Sequence, residues 1–129
     1  MMFDWHPEYG AGFAEIDGLH QQVFRAAGEL HAAIAAGEID DRLAELLARF
    51  VSCTQAHFAA EEALMQSSQY PQAGRHKAAH KAFGEKLLAA EQGVRPNVET
   101  MQTFKGLVIQ HIDEEDRQLG RHLASSAGE

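Results

Sequence analysis

Two pairs of metal-type side chains, each with a spacing of four residues, constrain this chain more than any other feature. His57 is followed by Glu61, and His76 is followed by His80. Residues four apart lie on one face of an α-helix, so each pair can direct two side chains at one point. The segment 67–71, with its serine, tyrosine and proline residues, interrupts the helical pattern between the pairs. The sequence therefore predicts a helical hairpin with both pairs facing inward.

Apolar residues recur with helical spacing along most of the 129-residue chain, and no strand pattern competes with them. The predicted helices span about 17–36, 40–66, 71–92 and 97–124. Their limits rest on residues typical of helix ends. These residues are Asp17, Asp40 and Asn97 as N-caps, Gly37 and Gly93 as stops, Pro71 in a first turn, and Pro96 in a turn.

Four helices with short connections predict an all-α fold, an up-down-up-down antiparallel four-helix bundle. Residues 1–16 lack a helical period and are expected to form an extended N-terminal arm that packs its aromatic side chains on the bundle. The bundle itself is expected at 17–124, and residues 125–129 are expected to fray. The length of 129 residues suits a single domain, 1–129.

The acidic composition excludes several classes of partner. The formal net charge is -8, from 11 basic and 19 acidic residues, which does not suit nucleic acid or an anionic membrane surface. No apolar run reaches the roughly 20 residues of a membrane span, and the first residues do not resemble a secretory signal. One cysteine, Cys53, excludes an internal disulfide. We therefore expect a cytoplasmic protein and a monomer.

Six candidate ligands fall at the same end of the predicted bundle. In an antiparallel bundle, the start of the first and third helices and the end of the second and fourth lie at the same end. The candidates lie early in the first and third helices, late in the second, and past the middle of the fourth. A single histidine on an apolar stripe is more often a hydrogen-bonded core residue, but each unsatisfied buried group costs roughly 1–3 kcal/mol. Six groups at one depth therefore favour bound metal. They are His20, His57, Glu61, His76, His80 and His111, the last followed by acidic residues.

The ligand types limit which metal is expected. Imidazole with carboxylate suits iron, zinc or manganese, and the absence of inward thiolates argues against a structural zinc site. Five histidines with carboxylates exceed the needs of one ion, so two ions are expected. The Glu-x-x-His motif of ferritin-like di-iron proteins and the His-Glu-x-x-His motif of zinc proteases do not occur.

These motifs together resemble the hemerythrins, in particular the single-domain bacterial members called bacteriohemerythrins. The resemblance covers essentially the whole chain and departs from many members at Leu19, where they have glutamine. It rests on the arm with Trp5, Tyr9 and Gly12, on Ile16, Asp17, His20 and Phe24, on HFAAEE at 57–62, on Met65, Tyr70 and Pro71, on HKAAH at 76–80 with Phe83, and on HIDEED at 111–116.

The resemblance implies two iron ions joined by an oxo or hydroxo bridge. One iron would have six ligands and the other five, which leaves one position open for a small molecule. The implied ligands are His76, His80 and His111 on one iron, His20 and His57 on the other, and Glu61 and Asp116 bridging both.

One implied ligand conflicts with ideal helix geometry. Asp116 is five residues after His111, roughly 140° around an ideal helix, whereas Glu115 is only about 40° away. Spacing alone would choose Glu115, but the family pattern chooses Asp116. We therefore predict that the fourth helix departs from α geometry near 111–116, for example by a π-bulge.

The resemblance implies reversible dioxygen binding, for oxygen storage, transport or delivery, rather than enzymatic activity. Small anions or nitric oxide could occupy the same position, and an oxygen-using enzyme could be a partner. The alternatives on this scaffold are a di-iron oxidase or peroxidase, a nitric oxide or iron stress protein, and an oxygen sensor. The candidates for lining the pocket, for which core packing is an equally good explanation, are Phe24, Phe58, Phe104, Leu107, Val108 and Ile112.

Three further residues of metal-binding type are not assigned as ligands. Cys53 is interpreted as a small core residue. His31 lies three turns beyond His20, roughly 16 Å away, and is too distant to be a ligand. Glu62 belongs either to a solvated face or, as the alternative, to the hydrogen-bond partners of a ligand imidazole.

Overall fold

The computed structural model describes residues 3–38, 40–92 and 97–127, in which an N-terminal arm precedes four helices. Consecutive helices pack against each other, and the first packs against the fourth, which closes the bundle. The predicted all-α, up-down-up-down bundle is confirmed. The helices are α1 (Ala14–Ala35), α2 (Asp40–Ser67), α3 (Ala73–Gln92) and α4, which consists of Val98–His111, a π-helical turn at Ile112–Asp116, and Arg117–Ala127. None of the described helices is long and apolar enough to cross a membrane.

Helix α1 ends where glycine predicts it but begins earlier than expected. Gly37 has a φ of 73°, and the N–H of Glu38 donates to the carbonyl of Ala33 at 3.0 Å, the bonding of a glycine-terminated helix. The prediction that Asp17 caps the helix is wrong, because the helix begins at Ala14. The Asp17 carboxylate instead accepts the N–H of Ala11 at 2.6 Å and thereby ties the arm to α1.

The connection between α2 and α3 uses the same kind of helix end without a glycine. Gln69 has a φ of 55°, and the N–H of Tyr70 donates to the carbonyl of Met65 at 3.0 Å. The prediction that Pro71 lies in the first turn of the third helix is wrong, because Pro71 lies in the turn that leads to Ala73. The chain therefore reverses direction over a few residues, which brings the ends of α2 and α3 together.

The limits of α4 agree with the sequence at one end only. The Asn97 side chain accepts the N–H of Thr100 at 2.9 Å, and the Thr100 hydroxyl accepts the N–H of Asn97 at 3.2 Å, so the predicted N-cap is confirmed. The prediction of a frayed tail at 125–129 is wrong for residues 125–127, which continue the helix. The predictions for Gly93, Pro96, the Asp40 side chain and residues 128–129 lie outside the described residues.

Two apolar clusters lie along the bundle, and the candidate ligands stand between them on each helix. The smaller cluster has as its buried members Ala11, Ile16, Met65, Tyr70, Leu119 and Leu123. The larger cluster fills the rest of the bundle and includes Leu30, Phe50, Leu87 and Met101, each fully buried. On α1, for example, Ile16 belongs to the smaller cluster, His20 is a candidate ligand, and Val23 belongs to the larger cluster. The polar residues are therefore enclosed by apolar packing on both sides.

The N-terminal arm covers this region, as its aromatic residues predict. The rings of Trp5 and Tyr9 each lie 5.3 Å from the ring of Phe24 on α1, measured between centroids. At the other side of the arm, Gly120 of α4 approaches the Ala11 backbone so closely that a Cβ at Gly120 would overlap the Ala11 carbonyl. Close backbone approach of this kind requires glycine.

Candidate metal centre

All seven residues proposed as ligands from the sequence and the resemblance meet in the interior of the bundle. Each of the four helices contributes at least one, and each is less than a tenth exposed. They are His20 on α1, His57 and Glu61 on α2, His76 and His80 on α3, and His111 and Asp116 on α4. Burial of so many polar groups in one place requires a partner that satisfies them together.

Three of the histidines gather around one oxygen of each carboxylate. Glu61 Oε1 lies 2.9 Å from His80 Nε2 and 3.0 Å from His76 Nε2. Asp116 Oδ1 lies 3.1 Å from the Nε2 atoms of both His76 and His111. We call His76, His80 and His111 the three-histidine set.

The other two histidines gather around the remaining oxygen of each carboxylate. Glu61 Oε2 lies 3.0 Å from His57 Nε2, and Asp116 Oδ2 lies 2.7 Å from His20 Nε2. We call His20 and His57 the two-histidine set. Each carboxylate therefore offers one oxygen to each set, which is the arrangement of two groups that span a pair of cations.

The donor atoms fit metal ions better than they fit each other. Glu61 Oε2, Asp116 Oδ1 and His111 Nε2 are buried, and none has a hydrogen-bond partner among the described residues although site atoms lie about 3 Å away. Such short distances without hydrogen-bond angles mean that the atoms converge on a shared point. In each set, with both carboxylates, one atom per residue lies within 4.8 Å of all the others. Bonds of roughly 2.0–2.3 Å to one ion require a similar spread.

The charges at the site are strongly coupled. Burial acts to lower the pKa of His57, His76 and His111, but contacts with Asp116 and Glu61 outweigh it and raise each pKa to about 9. Burial acts to raise the pKa of the two carboxyls, and the surrounding histidines instead hold each pKa well below its usual range. Protons on the histidines thus balance the carboxylates, and divalent cations can take the place of those protons.

The π-helical turn explains how Asp116 reaches the site. The predicted departure from α geometry is confirmed, because Ile112–Asp116 form a π-helix directly after His111. The extra residue in the turn rotates Asp116 inward, where it is fully buried. Glu115, which ideal spacing favoured, faces Arg75 instead, with 3.2 Å from Arg75 Nε to Glu115 Oε1. A π-turn at a functional site is a recurrent use of this geometry.

A small cavity adjoins the two-histidine set. Its volume is about 20 Å³, enough for a single very small molecule. Both histidines of the two-histidine set line it, but only His111 of the other set does. The remaining lining residues are Val23, Thr54, Phe58, Phe83, Val108, Ile112 and Asp116.

The sequence candidates account for three of the five apolar side chains that line this cavity. Of the six candidates, the cavity is lined by Phe58, Val108 and Ile112. Phe24 turns instead towards the aromatic residues of the arm, and Phe104 packs on Phe50 with 5.3 Å between ring centroids. Leu107 lines a separate groove between α3 and α4. These three do not line this cavity, because each packs against another part of the molecule.

Three lining residues were missed from the list of candidates. Val23 directly precedes the candidate Phe24 on α1, and Thr54 stands three residues before His57. Phe83 entered only as one of the residues that carry the resemblance, three residues after His80. A position within one turn of a ligand, on the same helix face, is the signal that could have identified Thr54 and Phe83.

Comparisons with known proteins agree with this architecture. The chain matches the family model described as the hemerythrin HHE cation binding domain over residues 11–123. It is 27% identical to a bacteriohemerythrin of Pseudomonas aeruginosa over 116 residues, covering 87% of this chain and 75% of that protein. It is 28% identical to a bacteriohemerythrin of Stenotrophomonas maltophilia over 139 aligned positions, 97% of this chain and 86% of that protein. A crystal structure of wild-type hemerythrin shares the fold, with a TM-score of 0.79, 24% identity, and coverage of 94% of this chain and 97% of that one.

Proposed function

The chain belongs to the hemerythrin family, and from this premise we propose that it binds dioxygen reversibly at two iron ions in the interior of the bundle. Family membership and the cluster of histidines and carboxylates together support a non-haem iron site with a role in oxygen binding. We propose in addition that the site holds two ions, that a bridge joins them, and that binding is reversible.

The observation that carries the proposal is the division of the site by its two carboxylates. We propose that the three-histidine set holds one iron and the two-histidine set the other, with Glu61 and Asp116 spanning both and an oxo or hydroxo bridge between the ions. The oxygen-to-nitrogen distances of 2.7–3.1 Å around each carboxylate oxygen support this division. When bound, the two ferrous ions would supply the electrons through which dioxygen is held.

The cavity supports a small ligand on the two-histidine side. That set provides one histidine fewer, which leaves room for an exogenous molecule, and the cavity lies against both of its members. Dioxygen is small and apolar, and it suits a cavity of about 20 Å³ in which five of the ten lining residues are Val, Phe or Ile. Small anions or nitric oxide would compete for the same place.

The lining also supports a carrier over an oxidase. Thr54 is the single polar lining residue outside the ligand set, and its hydroxyl already donates to the carbonyl of Phe50 at 2.9 Å. A water molecule in a cavity needs two to four polar partners. Outside the ligand set, this cavity offers a water molecule few hydrogen-bond partners. Among the described residues, the cavity lining therefore has no acid besides the ligands that could deliver a proton to a bound molecule.

The direct test is metal analysis followed by anaerobic reduction and an optical titration with dioxygen. We expect a spectrum that appears on oxygenation and disappears on removal of oxygen, with about one dioxygen per two irons. Irreversible oxidation with consumption of peroxide would support an enzyme instead. Recovery of zinc alone, or of no metal, would contradict the proposal.

A pair of histidine variants makes the test specific. His57→Ala removes a member of the two-histidine set and should abolish reversible binding. His31→Ala is the matched control, because His31 lies on α1 beside Phe3, away from the cluster, with 6.3 Å between the ring centroids. Equal loss of oxygen binding in both variants would show that the effect comes from a general disturbance of the bundle.

A further inference from the structure

His80 is held at both of its ring nitrogens by consecutive residues of α2. Its Nε2 lies 2.9 Å from Glu61 Oε1 inside the site, and its Nδ1 lies 2.9 Å from Glu62 Oε2 on the outer side. By contrast, the Nδ1 atoms of His20, His57 and His76 are buried without a hydrogen-bond partner in the described parts of the chain. His80 is therefore anchored in a way that these three histidines are not.

The position of Glu62 on α2 explains how it reaches this nitrogen. Consecutive residues are about 100° apart around a helix, so Glu61 and Glu62 cannot face the same way. Glu61 is fully buried between the two sets, whereas the Glu62 side chain is 37% exposed at the edge that faces α3. His80 comes from α3, so its outer nitrogen meets Glu62.

An aromatic contact restricts tilting of the His80 ring, which the contacts at its two nitrogens leave possible. The ring of Phe58 stacks on the ring of His80, with 4.1 Å between centroids and 17° between planes. The stacking opposes tilting of the imidazole out of its plane, and the Glu62 contact opposes its rotation within the plane. Phe58, Glu61 and Glu62 all belong to α2, so one helix fixes the orientation of a histidine from its neighbour.

We infer that Glu62 is a positioning residue that keeps His80 in the orientation and tautomer needed to hold a metal ion. An ionised carboxylate only accepts hydrogen bonds, so the Nδ1 of His80 must carry the proton that it shares with Glu62. With an ion bound, the Nε2 would present its lone pair to that ion in place of its contact with Glu61, and a carboxylate behind a ligand histidine also increases its basicity. The inference rests on the proposed function and assigns the effect to the ion of the three-histidine set.

The competing explanation is that Glu62 is a solvated surface charge. It lines an open groove between α2 and α3 that also contains Lys77 and Lys81, so the carboxylate has cationic neighbours in that groove. A surface charge would change metal binding only through the overall field. Glu85, an exposed acidic residue of α3, provides the matched comparison.

The test compares Glu62→Ala and Glu62→Gln with Glu85→Ala in the full chain. After loading with Co²⁺, we expect a chelator to remove one of two ions roughly 10–100-fold faster from Glu62→Ala than from the wild type. Glu62→Gln should fall between, because its amide oxygen still accepts a hydrogen bond. Glu85→Ala should match the wild type.

A second measurement uses the metal-free chain and reports on the contact itself. Nitrogen-15 spectra of the imidazoles should show a slowly exchanging Nδ1–H for His80 in the wild type and in Glu85→Ala, but not in Glu62→Ala. Equal Co²⁺ release from Glu62→Ala and Glu85→Ala, or an unchanged His80 Nδ1–H signal in Glu62→Ala, would overturn the inference.

The same experiments separate this inference from the function on which it rests. A wild-type chain that holds two Co²⁺ ions, but whose iron form does not bind dioxygen reversibly, would overturn the proposed function and leave the role of Glu62 intact. A wild-type chain that takes up neither Co²⁺ nor iron would overturn both.

Discussion

The two sets of site histidines share both carboxylates but differ in what surrounds them. In the three-histidine set, His80 is stacked on Phe58 and bonded to Glu62. In the two-histidine set, His20 and His57 have no described partner at Nδ1 and adjoin the cavity. The arm lies on the same side, with 6.3 Å between the ring centroids of Trp5 and His20. The chain thus makes the site asymmetric before any ion binds, by supporting His80 of one set and leaving space beside both members of the other.

The largest effect should come from the residue that both sets share on α4. Asp116→Ala removes one oxygen donor from each set, so we expect the loss of both ions. Glu115→Ala should keep both, because Glu115 faces Arg75 and the loss of that partly exposed ion pair costs roughly 0–1 kcal/mol. Metal content per chain after desalting measures the difference. Retention of metal in Asp116→Ala with its loss in Glu115→Ala would reverse the assignment made from the π-turn.

Changes in pH should act on histidines from both sets in the metal-free chain. The pKa of His57, His76 and His111 is raised from 6.5 to about 9 on folding, so the folded chain binds more protons. Their contribution to the free energy of unfolding is complete below about pH 6.5 and is lost as pH rises through about 9. The pKa of each carboxyl, Glu61 and Asp116, is lowered, so their contribution is present above their ordinary values and is lost in acid.

Denaturant unfolding of the metal-free chain from pH 4 to 10 checks this prediction. We expect greatest stability in mildly acidic solution and a steady decline towards pH 9. In Asp116→Ala the alkaline decline should be shallower, because one of the two carboxylates that raise the histidine pKa values is gone. Stability that increases between pH 6.5 and 9 would contradict the coupling.

The sequence predicted that the candidate ligands lie together, because helical spacing determines which face of a helix a residue occupies and its position in the helix determines its level in the bundle. Residues four apart share a helix face, and positions near the ends of antiparallel helices share a level, so His20, His57 and His76 had to lie close together. Asp116 required more, since regular spacing pointed to Glu115 and the family resemblance alone indicated a distorted turn. In the structure, the residues predicted from helix periodicity and the residue implied by the resemblance lie together.

The surroundings of the two sets were predicted less well because they depend on packing between helices. Adjacent positions on a helix differ by about 100°, and the sequence proposed Phe24, not its neighbour Val23, as a pocket residue. The arm determines which of the two lines the cavity. Phe24 packs against Trp5 and Tyr9, and Val23 lines the cavity. The early start of α1 has a similar origin, because the Asp17 carboxylate bonds to the arm rather than to the helix end.

Displacement of the arm should therefore affect the two-histidine set more than the other. Gly120→Ala places a Cβ against the Ala11 carbonyl, so the backbone of the arm must move. Overpacking of this kind costs roughly 1–3 kcal/mol, and we expect faster binding of azide to the iron form because the cover is loosened. Stopped-flow azide binding and thermal unfolding measure the two effects.

Gly84→Ala is the control for the arm, because a Cβ at Gly84 would meet nothing within 4 Å. A glycine in a helix interior is roughly 0.5–1 kcal/mol less favourable than alanine, so this variant should be slightly more stable and should bind azide at the wild-type rate. If Gly120→Ala also binds azide at the wild-type rate, the arm does not cover the two-histidine set.

The smallest effect should come from the one hydroxyl beside the cavity. Thr54→Val keeps the shape of the side chain and removes the hydroxyl that donates to the Phe50 carbonyl. We expect unchanged metal content, a change in stability of about 1 kcal/mol or less, and slower irreversible oxidation of the oxygenated iron form, because the cavity then offers water one polar partner fewer. Thr103→Val, on the exposed face of α4, is the matched control. Faster oxidation in Thr54→Val would mean that the hydroxyl protects the bound molecule, and the dryness of the cavity would then not be what distinguishes the two sets.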